Sequence, residues 1–127
     1  MIQTTSIQLQ PYITYPPQGT PLFQIPVIGN QAMGAGYYKT PNPLHTVQFS
    51  TSASFIGIVA LQGSLASYPS DTDSDWYDIP ETILGDGINV VPDNSYIFTF
   101  GGNHVWVRSI IKVFSQGAIT QILYSHN

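Results

Sequence analysis

The hydrophobic pattern changes character near residue 46. From Thr46 onward, apolar and polar positions alternate with a period of two, which is the signature of half-buried strands. Val47 and Phe49 alternate with polar neighbours. Ser54 to Gln62, SFIGIVALQ, is a near-continuous apolar strand in which Gly57 marks a bulge or a close backbone approach. Trp76 to Ile79 reads as a short strand stopped by Pro80, and Gly85-Asp86-Gly87 as a turn between Thr82–Leu84 and Ile88–Val91. Tyr96, Phe98 and Phe100 share one strand face, with Ile97 and Thr99 on the other. Gly101-Gly102-Asn103 then predicts a hairpin connection. The strand after it puts Val105, Val107, Ser109, Ile111 and Val113 on one face and His104, Trp106, Arg108, Ile110 and Lys112 on the other. Both faces carry apolar residues, so this strand is expected to be central and covered on both sides. Ser115-Gln116-Gly117 predicts a turn, and Ile119 to Tyr124 the closing strand.

No segment carries an i, i+3, i+4, i+7 stripe, and turn signals recur roughly every 8 to 12 residues, the spacing of small all-β domains. The expected fold is therefore all-β: an antiparallel β-sandwich or jelly-roll-like domain over residues 47–127, without helices longer than two turns. Its expected core holds Phe55, Ile58, Leu61, Trp76, Phe98, Val105, Val107 and Ile111. Residues 1–46 read as an extended Pro/Gly-rich N-terminal arm with one or two short strands, one of them Leu22 to Ile28. Seven of the ten prolines fall between Pro11 and Pro43, and Pro21 and Pro26 would confine that strand to an edge. A long stretch of this kind is expected to lie across a surface, its own or a neighbour's.

Charge changes the picture more than size does. Only 8% of the 127 residues are charged, where soluble domains average about 25%. Lys39 is the one charged residue from Met1 to Ser70, and five of the seven acids then crowd between Asp71 and Glu81. Three scattered cations in a chain of net charge −4 exclude a surface that tracks nucleic-acid phosphates. The seven-residue apolar run Phe55 to Leu61 is far short of a membrane span. MIQTTSIQLQ lacks the basic and apolar regions of a secretory leader. Zero cysteines exclude disulfides, zinc-thiolate sites and thiol catalysis. A surface so poor in charge is expected to be covered by neighbours, or to belong to an extracellular domain that uses neutral polar residues.

The second half, about Ser54 to Asn127, resembles a small β-sandwich module of tailed-bacteriophage virion proteins. The resemblance rests on Gly57, Gly63-Ser64-Leu65, Trp76 after a loop rich in Asp and Ser, Trp106-Val107-Arg108, and Gly117 to Thr120. It implies a structural role in a capsid, neck, tail or fibre, located in the virion, and carries over no catalytic residue. It also implies homo-oligomers, the trimer being the form its decoration and fibre members suggest.

Candidate chemistry is sparse. Asp71, Asp73 and Asp75 alternate as in the first half of a calcium loop, but Trp76 occupies the glycine slot and Thr82 the bidentate-Glu slot. The residues leave two readings, weak calcium binding or a hydrated acidic loop, and no other cofactor is expected. His45, His104 and His126 are far apart in sequence and default to surface or packing roles. There is no G-x-S-x-G and no triad context. Arg108, mid-strand, is expected to need a carboxylate from the acidic loop or an aromatic face.

The functional expectation is a non-enzymatic phage virion structural protein that decorates or joins other virion proteins. Phe23, Ile25, Tyr37, Tyr38, Trp106 and Ile110 are its expected interface anchors. The alternative is a carbohydrate- or host-receptor-binding β-sandwich that uses its aromatic residues as a sugar platform. If the acidic loop binds calcium, the melting temperature rises in millimolar calcium relative to chelator. Equal melting temperatures return the loop to hydration alone.

Overall fold

A computed structural model describes residues 6–15, 26–70 and 73–127. Among them are seven strands, no α-helix and two short 3-10 turns, Asp73–Asp75 and Pro80–Thr82. The strands are β1 (Ile7–Gln10), β2 (Ile13–Tyr15), β3 (Val27–Met33), β4 (Leu44–Ser64), β5 (Tyr77–Asp78), β6 (Ser95–Gly101) and β7 (Trp106–His126). All belong to one antiparallel sheet.

The sheet is organised by β4 and β7, each 21 residues long, paired from His45↔His126 at one end to Ser64↔Trp106 at the other. A straight strand of that length would reach about 70 Å. A compact chain of this size has a radius of gyration of only about 14 Å, so the ladder has to bend. It bends where Ala53 (φ 56°) and Ser54 (φ 59°) enter the left-handed region opposite Gly117 (φ 85°), with the register broken between Ser52 and Ile56. Gly117 meets the demand twice over. It takes the positive φ at no steric cost, and a Cβ there would lie 2.6 Å from the Phe55 backbone.

Bending brings the ends of the ladder together over one core. Val47, Phe49, Ile122 and Tyr124 of one arm join Val59, Leu61, Val107 and Ile111 of the other in a single buried cluster. β1 and β2 pair with the far end of β7, and β3 with its beginning, so residues 6–15 and 26–33 line the chain's own sheet. β6 pairs with the first arm of β4, and β5 with the second.

Several local expectations change. Gly101-Gly102-Asn103 does not close a hairpin. β6 pairs with β4 rather than β7, and the chain crosses there from one arm of the sheet to the other. Ser115-Gln116-Gly117 does not reverse the chain, because β7 runs through it and only bends. The strands expected around Leu84 and Val91 reduce to single bridges to Val59 and Phe55. The expected strand Leu22 to Ile28 is replaced, in its described part, by β3 starting at Val27. Phe55, Leu61, Trp76, Val107 and Ile111 are buried as expected, while Ile58, Phe98 and Val105 are half-buried. The strand containing Arg108 is covered on both faces, with Val107, Arg108, Ser109, Ile110 and Ile111 all buried.

Gly117→Ala therefore forces a Cβ into backbone at a left-handed position. The expected loss is about 2–4 kcal/mol, read as a lower urea midpoint at unchanged slope; an unchanged midpoint would remove this account of the bend.

Candidate functional site

The crossover of residues 102–105 seats the turn that follows β3. Gly34 N–H donates to Val105 O (2.8 Å) and Gly36 N–H to His104 O (3.0 Å). A Cβ on either glycine would lie 2.4 Å from a carbonyl oxygen of the crossover, so only glycine allows this seating. The turn then presents Tyr37 and Tyr38 to solvent. Tyr37 meets the Trp106 ring edge-on at 5.8 Å, and Tyr38 stacks on His126 at 5.3 Å. Trp106 is half-buried, and its indole N–H donates to Ser67 O. Exposed Tyr37 and Tyr38 and half-buried Trp106 thus form one aromatic patch. Ile110 stands apart from it and is 4% exposed, covered by its own chain.

Phe23, Ile25 and Asp71 lie outside the described residues. Asp73 begins the 3-10 turn Asp73–Asp75. Asp75 Oδ2 accepts both the backbone N–H (2.7 Å) and the hydroxyl (2.6 Å) of Ser70. The Ser70 hydroxyl and N–H together hold the Asp75 carboxyl below its usual range. Among the described residues no three His, Asp or Glu side chains are grouped as a metal site.

Beside the aromatic patch, the bend gathers all three histidines. Nothing in the sequence signals this; the β4–β7 register places His45 opposite His126, and the crossover delivers His104 to 5.1 Å from the His45 ring. His45 is fully buried. Its Nε2 lies 2.8 Å from Gly102 O and its Nδ1 2.6 Å from Tyr124 Oη. A carbonyl only accepts, so Nε2 carries the proton and Nδ1 accepts the tyrosine hydroxyl. His104 repeats the arrangement, with Nε2 donating to Gly101 O (3.2 Å) and Nδ1 accepting from Tyr77 (2.7 Å). Each neutral ring is thus a bridge between a phenol and a backbone carbonyl, with both nitrogens in use.

Burial lowers the His45 pKa, the Gly102 carbonyl opposes this, and His104 and His126 lower it further. Burial also lowers that of His104, against the Gly101 carbonyl and Glu81. Burial raises the Tyr124 hydroxyl far above its usual value, so it remains a donor.

On the other arm, Arg108 is fully buried. Its guanidinium carbon sits 4.3 Å from the centre of the Trp76 ring, and its Nε donates to Gln62 Oε1 at 2.8 Å. Of the two partners expected for this arginine, a carboxylate of the acidic loop or an aromatic face, Trp76 supplies the second. Gln62 Nε2 donates in turn to Asp78 (2.9 Å), which pairs with Lys112. Burial works to raise the Asp78 carboxyl, but hydrogen bonds from Lys112 and Gln62 outweigh it and leave it below the usual range. Pro26, Gln62, Trp76, Asp78, Ile110 and Lys112 line an open groove of about 400 Å3 at this point.

No known family model, curated protein or solved structure matches the chain.

One buried imidazole, His45, and one half-buried, His104, make the fold acid-sensitive with a definite sign. Both folded-state pKa values lie below the ordinary 6.5, so the unfolded chain takes up protons first. Their stabilising contribution is complete above pH 6.5 and is lost as pH falls below it. The carboxylates Asp78 and Asp86, lowered from 3.8, add a second loss only below that pH. The melting temperature is expected to hold from pH 8 to 7 and to fall between about pH 6.5 and 5, with a shallower fall in His104→Gln. A flat profile down to pH 5 would contradict the neutral-imidazole assignment.

Proposed function

We propose that this chain is a non-enzymatic structural protein of a tailed-phage virion, and that it decorates or joins capsid, neck, tail or fibre proteins. In this reading the two arms of the bent sheet are the layers of a β-sandwich of jelly-roll-like character. The observation that carries the proposal is the distribution of charge. β1, β6, the arm of β4 before the bend and the arm of β7 after it contain no Asp, Glu, Lys or Arg. Their outward row, Gln8, Leu123, Gln48 and Ile97, is aligned across four strands by register. A free protein usually keeps such a face wet with mixed charge; a subunit does not need to. The resemblance of residues 54–127 to virion modules supports the same reading. Exposed Tyr37 and Tyr38, with half-buried Trp106 beside them, supply aromatic anchors of the kind enriched at interfaces. Homo-oligomerisation and docking on other virion proteins both follow from it.

The same aromatic patch favours one alternative, a carbohydrate- or host-receptor-binding module, because exposed tyrosine faces also stack on sugars. A glycan array separates the two: saturable binding that Tyr38→Ala removes supports the alternative.

The structural reading is tested by quantitative mass spectrometry of purified particles. The chain is expected at a fixed multiple of the capsid or tail proteins. Its absence from particles would overturn the proposal.

A further inference from the structure

The edges of the sheet are not equally protected. The edge strands beside β7 are interrupted: the register of β1 breaks between Gln8 and Gln10, and that of β3 between Ile28 and Gln31. Pro11 follows β1 and Pro26 precedes β3. β5 is two residues long and carries Asp78, with Pro80 and Glu81 beyond it. Bulges, prolines, charges and short strands are the ordinary devices that stop an edge from recruiting another strand.

β6 has none of them. Its seven residues, SYIFTFG, pair with β4 in unbroken register from Leu44↔Gly101 to Ser50↔Ser95. They contain no charge and no proline, and β-branched or aromatic residues fill all five interior positions. Among the described residues no backbone group pairs with the opposite side of this strand. Ile97 and Thr99 are exposed, while Tyr96 and Phe98, facing the core, remain half-buried at the margin. Asp93, the nearest charge along the chain, accepts the Ser54 N–H at 3.1 Å.

We infer that the outer edge of β6 is a self-pairing surface, and that its occupant is β6 of a second copy running antiparallel about a two-fold axis at Phe98. The inference rests on the charge-free arm used in the functional proposal and adds to it a named partner and register. Full overlap of two seven-residue strands puts Ile97 opposite Thr99, Tyr96 opposite Phe100 and Phe98 opposite itself. Every cross-strand pair is neutral, and the aromatic and β-branched pairs are of the stabilising kind. In a chain of net charge −4, two copies meet most easily where neither carries charge. The neutral outer row ending at Ile97 would continue unbroken across the axis. The contact is isologous, so it closes as a dimer rather than growing into a fibre.

The chain has no cysteine, which makes the register directly readable. Opposed residues of an antiparallel pair have Cα atoms about 4.5–5.5 Å apart, within disulfide range. Ile97→Cys and Thr99→Cys are prepared separately in the full chain and oxidised alone and mixed. Cross-linked dimer is expected from the mixture at about ten times the yield of either variant alone. Equal yields overturn the register, and a wild-type chain that sediments as a monomer or as a trimer overturns the contact. Ile97→Lys, at a site 62% exposed, should stay folded and weaken association about tenfold or more. Ile88→Lys, on a loop residue 79% exposed, should not change it. A folded Ile97→Lys chain that associates like wild type also overturns the inference. Particle composition is read independently. A monomer found in particles defeats only the β6 contact, and a dimer absent from particles defeats only the virion assignment.

Discussion

Everything in this structure depends on the antiparallel ladder between β4 and β7. Two strands of 21 residues cannot stay straight inside a chain this short, so the ladder must turn back on itself. Ala53 and Ser54 accept left-handed backbone, and Gly117 accepts it opposite them without a side chain to collide with Phe55. Once the bend exists, the apolar faces of both arms point at each other and one core results. The remaining strands take what the ladder leaves: β1, β2 and β3 along β7, β5 and β6 along β4.

The bend also decides which side chains share an environment. His45 and His126 sit at one end of the ladder, and the crossover into the other end carries His104 to the same place. Burial there favours the neutral form of His45 and His104, each ring held by a tyrosine hydroxyl on one side and a carbonyl on the other. Phe100 stacks on His45 and Tyr38 on His126, so the closure of the two ends is largely aromatic.

Charge follows the same division. The arm with β3 and β5 holds the buried Arg108 against Trp76 and Gln62, and the Asp78–Lys112 pair beside them. A guanidinium out of water needs this combination of ring face and hydrogen bonds. The opposite arm carries only Ser, Thr, Asn, Gln, His and apolar residues. The low charge of the whole chain is therefore concentrated into one neutral half, which is a stronger physical statement than the average composition.

The sequence by itself determined the all-β character, the inward alternation of Tyr96, Phe98 and Phe100, the double-faced burial around Ile110, and the need of Arg108 for a partner, either a carboxylate or an aromatic face. Each is a local consequence of period-two geometry or of the cost of burying charge. It did not reveal that Gly101-Gly102-Asn103 is a crossover, that Ser115-Gln116-Gly117 bends without reversing, or that three distant histidines meet. Glycine-rich triplets permit a hairpin, a bulge or a crossover equally well, because they state only which dihedrals are available. The choice between them belongs to the β4–β7 register, where the pairing of residues some forty to eighty positions apart fixes which strand each segment faces. The same holds for β6. Its freedom from charge is written in the sequence, but only the fold leaves that strand at an edge with one side unpaired among the described residues.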